Sequence, residues 1–143
     1  MTAVLLDASL VVLLGAVTIS DLRTRLVPDR ALGAALLVGL PACAFADPGG
    51  LPERLLAAVG AGGFLLAAAL VRPGGMGLGD AKLAAVLGIY LGPAVIEALA
   101  VAFAAGSIAG VVLIARRGWA ARSSTIPFAP FLALGALAAI GTA

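Results

Sequence analysis

Two of the seven acidic side chains in this chain sit where a carboxylate has chemistry open to it. Asp80 lies in GMGLGDAKLA (75–84), among small residues and between strongly apolar blocks, and Asp21 lies in ISDLRTRLVPD (19–29), directly after an apolar run. The chain has no histidine and one cysteine, Cys43, so it holds no imidazole base, no internal disulfide and no Cys/His zinc site. Hydrolysis would have to run on carboxylates. Two acids that share a proton can divide the work, one activating water while the other donates a hydrogen bond to the scissile carbonyl. Such a site calls for no metal and no cofactor. Each acid also has a plainer reading, Asp80 as a helix N-cap and Asp21 as an interfacial acid paired with Arg23 or Arg25. Asp7, Asp47 and Glu53 read as hydrated residues near an interface, whereas Glu97 falls early in a long apolar run, where an acid raises a functional question.

The elements that must position these acids are membrane helices. Of the 143 residues 63% are hydrophobic and 11% charged, and the mean hydropathy is +1.20. These values place the whole chain, 1–143, in the bilayer as a single transmembrane domain, an all-α bundle. Apolar runs predict six spans, near 3–20, 31–46, 55–71, 80–91, 94–115 and 127–141. The polar turns DLRTRLVPDR and DPGGLPER separate the first three, and Gly92-Pro93 breaks the fourth from the fifth. The first run has no basic residue before it and reads as a retained helix rather than a cleaved signal.

A basic balance, with an isoelectric point near 9.3, would point a soluble protein toward nucleic acid. Here the basic residues instead mark topology. All nine except Arg54 fall beside the first, third and fifth turns: Arg23, Arg25, Arg30, Arg72, Lys82, Arg116, Arg117 and Arg122. The positive-inside rule makes those turns cytoplasmic and sends both termini outward, in a multi-pass protein of the cell membrane. Asp21 and Asp80 then meet the same, cytoplasmic face. Nothing in their spacing makes spans one and four neighbours.

Three segments in order, ISDLRTRLVPD (19–29), GMGLGDAKL (75–83) and IPFAPFLALGAL (126–137), resemble the type IV prepilin peptidase family of intramembrane aspartic proteases. In that family the first aspartate opens D-x-x-x-x-x-(I/V)-P-N and the second lies in G-x-G-D-x-K, so the resemblance implies Asp21 and Asp80 as the catalytic pair. It also implies that Gly77, Gly79, Lys82, Pro28, Pro127 and Phe128 support the site or the substrate. Two positions depart from the pattern: Asp29 stands at the usual Asn, and Ala129 stands within the usual P-F-G-P-F. The chain is similar to the small, peptidase-only TadV/CpaA-like form associated with Flp or Tad pili, without the Cys-x-x-Cys cytoplasmic segment linked to methylation.

By resemblance, the substrate is a prepilin with a short basic leader, a glycine before the cut and a hydrophobic helix after it. The partners would be that precursor, the lipid bilayer and the pilus assembly machinery, with no nucleic acid. The glycines from Gly74 to Gly79 would let an extended substrate approach the backbone closely. Two readings from other classes remain open on the residues alone. One is a small transporter or channel subunit in which Asp21, Asp80 and Glu97 line an ion or proton path. The other is a structural subunit whose Gly/Ala-rich spans serve helix packing.

Overall fold

The computed structural model of the chain describes residues 2–123 and 126–142. Within them the chain forms six α-helices: α1 (Thr2–Thr24), α2 (Asp29–Ala46), α3 (Leu51–Val71), α4 (Leu78–Leu91), α5 (Val95–Arg117) and α6 (Ala129–Thr142). Single 3₁₀ turns, Gly92–Ala94 and Trp119–Ser123, precede and follow α5. The side chain of Arg122, one of the topological markers, lies outside the described ones.

Local chemistry sets the helix ends. α1 stops where Arg25 takes a positive φ of 55°, with its N–H still bonded to the Asp21 carbonyl, and Ser20 Oγ reaches forward to the Leu26 carbonyl. Pro28 then starts α2 from an extended conformation, as proline's fixed φ and missing N–H favour. The next turn closes when Gly50 N–H bonds to Asp47 Oδ1, and Pro52 occupies the first turn of α3. Gly92 has a φ of +58°, a backbone state that glycine reaches without a Cβ penalty, and it ends α4.

Four stretches are long and apolar enough to cross a membrane: Val4–Thr24, Asp29–Ala46, Leu51–Val71 and Leu78–Arg117. The last is 40 residues long, roughly 60 Å if straight. That is about twice the hydrocarbon thickness of a bilayer, and the 3₁₀ turn Gly92–Ala94 interrupts the stretch near its middle. α4 and α6, at 14 residues each, are near 21 Å and shorter than a full crossing.

α4 is the hub. It packs against α1, α2, α3, α5 and α6, and its buried residues Ala81, Leu83, Ala84, Val86, Leu87, Ile89 and Tyr90 point in every direction around its axis. A helix apolar on all sides is one enclosed on all sides, which is why this short run carries so little polar content. Its neighbours approach closely through small residues. A Cβ at Gly62 would lie 2.8 Å from Ala85 Cβ, and one at Gly88 would meet the backbone of Ala57 and Ala58. α5 and α6 pack in the same way, with Gly135 against the Ala98 backbone. Small-residue seams of this kind gain van der Waals contact where lipid offers no hydrophobic drive between helices. Large side chains such as Val12, Leu37, Leu56 and Val111 are exposed on the outside, as acyl chains require.

Cross-links between helix ends establish an antiparallel arrangement. Arg54, early in α3, donates from Nη1 to the carbonyls of Tyr90 at 2.6 Å and Ile89 at 3.1 Å, at the end of α4. Tyr90 in turn donates its hydroxyl to the Ala35 carbonyl of α2 at 2.9 Å. This explains the one basic residue that departs from the loop asymmetry: Arg54 satisfies carbonyls that a helix C-terminus leaves unpaired. Arg54→Ala should therefore destabilise the fold by about 1–3 kcal/mol, the penalty for leaving such acceptors unpaired. Thermal unfolding in detergent measures it, and an unchanged transition would remove Arg54 from the stability argument.

Candidate active site

Asp21 occupies the last turn of α1 and Asp80 is the third residue of α4. They are the two buried charged side chains among the described residues, at 5% and 6% exposure. Tertiary packing brings them together: α1 touches α4, and Asp80 lies within reach of the Asp21 charge. Neither is neutralised by an ion pair, because the one salt bridge among the described residues joins Lys82 to Asp29. Arg25, exposed just beyond α1, acts on Asp21 only through its field.

Each carboxylate has one oxygen held by backbone. Asp21 Oδ2 accepts the N–H of Ala129 at 3.2 Å. Ala129 is the first residue of α6, so this amide is one that the helix itself leaves unpaired. Asp80 lies against the amide of Gly77, the residue that caps α4, and a Cβ at Gly77 would stand 3.4 Å from Asp80 Oδ2. The N-cap is thus Gly77, not Asp80, which sits one turn into the helix and reaches back. Asp80 Oδ1 is buried with no hydrogen-bond partner among the described residues. A buried carboxylate oxygen without a partner is costly and calls for a functional explanation.

The other expected residues divide between those at the pair and those beside it. Gly77 touches Asp80. Gly79 does not open a path for a substrate strand, since a Cβ there would lie 2.7 Å from Val27 Cβ and 3.0 Å from its Cγ2. The close approach anticipated at this glycine is made by the chain's own loop. Pro28 caps α2, its carbonyl accepting the N–H of Ala31 and Leu32. Lys82 Nζ lies 2.8 Å from Asp29 Oδ1, and this exposed pair stands outside the buried one. Pro127 and Phe128 form the non-helical lead-in to α6, with the Phe128 carbonyl accepting from Phe131 and Leu132. The Phe128 ring joins Phe103 of α5 at 5.3 Å and Phe131 at 6.3 Å, fixing that lead-in from its apolar side.

Val27 and the Ala129 amide are the site residues that the sequence did not reveal. Val27 sits inside the first motif, and Ala129 inside the third, so both were in view. What a linear reading lacks is the direction in which a backbone N–H or a methyl group points.

Glu97 is not drawn to the pair. It lies in the first turn of α5, past the far end of α4, where it accepts a hydrogen bond from Thr142 at 3.3 Å. Three acids lining one path is therefore not the arrangement found. Among the described residues no cluster of three His, Cys, Asp or Glu side chains could hold a metal ion.

The sequence model of the type IV leader peptidase family matches residues 8–115, most of the chain and both aspartates. The chain belongs to the type IV leader peptidase family. It is therefore a peptidase and, with its apolar helices, a multi-pass membrane protein. No curated protein and no solved structure matches the chain. The match ends before IPFAPFLALGAL, yet in this chain that segment supplies the amide that holds Asp21.

Proposed function

We propose that the chain is an intramembrane aspartic endopeptidase that removes the leader of type IV, Flp- or Tad-type prepilins, with Asp21 and Asp80 as its catalytic dyad. The observation that carries this reading is the pair itself: two buried, unneutralised carboxylates, one with an unpartnered oxygen, within the family's match. Two like charges that close in a buried site favour holding one proton between them. The ionised member takes a proton from water as the oxygen adds to the scissile carbonyl carbon. The protonated member hydrogen-bonds to the carbonyl oxygen as negative charge develops there. Collapse of the tetrahedral intermediate breaks the C–N bond, and the leaving amine takes up the proton that water gave.

We read the six helices as six membrane-embedded elements, with α4 and α5 as separate arms of the bent 40-residue stretch and α6 as the last. The loop distribution of basic residues supports a dyad at the cytoplasmic face and both termini outside. A precursor whose apolar helix lies in the bilayer would then present its cleavage point at the depth of the dyad. Pilus assembly components are the further partners on this reading, in the small TadV/CpaA-like form.

Co-expression with a candidate prepilin and a gel mobility shift tests the activity. The parent chain should shorten the precursor by the length of its leader, and an unshifted precursor would sink the assignment. Topology has its own test, in a Cys43→Ser background. Arg72→Cys, at an exposed position at the end of α3, should react with an impermeant thiol reagent from the cytoplasmic side only, and Gly49→Cys from the outside only. The reverse pattern would move the dyad to the wrong face.

A further inference from the structure

Asp21 and Asp80 sit on helices that barely hold each other. α1 packs chiefly on α2 and α6, and meets α4 over a small area. Their separation must then be set by third parties. One is the Ala129 amide on Asp21. The other is the segment that leaves α1 and starts α2, which lies over the first turn of α4 and is fastened there twice. Val27 fills the space beside Gly79, and two residues later Asp29 Oδ1 meets Lys82 Nζ at 2.8 Å. Gly79 and Lys82 flank Asp80 in sequence, so both fastenings act on the turn that carries it.

We infer that Asp29 and Lys82 form a positioning pair that keeps the two buried carboxylates at their working separation. This deepens the proposed peptidase reading and rests on it for the catalytic part. Lys82 is 56% and Asp29 70% exposed, so the ion pair is accessible to counterions and its contribution is modest and screened by salt. Its leverage is geometric. It adds a second fastening, beside Val27 against Gly79, between the start of α2 and the turn that carries Asp80. The usual Asn of the family, in place of Asp29, would still offer Lys82 an oxygen acceptor.

The test uses the full chain with Cys43→Ser, reconstituted in lipid vesicles and spin-labelled at Leu22→Cys and Leu78→Cys, both exposed and each beside one of the carboxylate-bearing turns. Asp29→Lys and Lys82→Asp should each broaden the distance distribution between the labels. The double charge swap should narrow it again. With a prepilin substrate, each single reversal should lower kcat about two- to fivefold, in keeping with an exposed ion pair, and leave KM unchanged. The swap should restore kcat, and Asp29→Asn should stay within about twofold of the parent, because its side-chain oxygen still accepts from Lys82. Unchanged label distances in the single variants, or a swap that fails to restore them, would overturn the inference. An effect carried by KM would overturn it too, by making Asp29 or Lys82 a substrate contact. A parent chain that cleaves no precursor would instead count against the peptidase dyad, while the label distances still decide the positioning role.

Discussion

Asp80→Asn should remain in the membrane, unfold no earlier than the parent, and process prepilin at least about a hundredfold more slowly. General acid–base chemistry by a positioned side chain contributes about 10²–10⁴-fold, and an amide cannot take or give the proton. The variant is not expected to be less stable, because the residue it replaces carries a buried carboxylate oxygen with no partner. Asp21→Asn should lose activity to a similar degree. Its side-chain oxygen can still accept the Ala129 N–H, so the α1–α6 contact survives and the loss is chemical. Processing by membranes containing equal amounts of each protein, with thermal unfolding in detergent, measures both effects. Normal cleavage by Asp80→Asn would falsify the dyad. Loss of cleavage together with early unfolding would make Asp80 a structural residue.

Gly79→Ala should disturb the carboxylate pair directly, because the added methyl presses on the turn that carries Asp80. The added methyl would sit 2.7 Å from Val27 Cβ, where no real pair of carbons rests, and the Val27 backbone nitrogen lies only 3.6 Å away. Overpacking of this kind costs about 1–3 kcal/mol. Here relief comes by shifting the first turn of α4, and Asp80 moves with it. Misplacing one member of a two-carboxylate site should lower kcat by about ten- to hundredfold. Val27→Gly in the same chain removes the opposing Cβ and should recover most of the loss. If the second substitution recovers nothing, the absence of a side chain at position 79 serves some contact other than Val27, and an approaching substrate strand becomes the better reading.

The sequence by itself determined the membrane setting, the helical class and the pairing of Asp21 with Asp80 as candidates. These follow from properties that need no long-range geometry. Apolar runs near the length of a bilayer demand helices, because backbone polar groups have no other partner in lipid. The absence of histidine and the lone Cys43 left carboxylates as the available acid–base groups. Break points at Pro28, Pro52 and Gly92-Pro93 were readable because proline and glycine act through their own backbone limits. Even the register was near: the plainer reading of Asp80 made it the cap of α4, and it stands one turn inside a helix capped by Gly77.

Only the tertiary structure decided how the site is held. That α4 is the enclosed hub could not be told from a short apolar run, since a buried helix and a lipid-facing one are equally apolar. Arg54 looked like an exception to a charge rule until the fold put its guanidinium on the carbonyls of Ile89 and Tyr90. Gly79 invited a substrate strand, and the fold filled its space with Val27. Lys82, read as a supporting residue of the second motif, and Asp29, read as a departure from the first, became one ion pair. The amide of Ala129 on Asp21 joins residues 108 positions apart through a backbone atom common to nearly every residue type. Side-chain identity is written in sequence, but the direction of an N–H, the fit of a methyl and the meeting of distant helix ends exist only once the chain has packed.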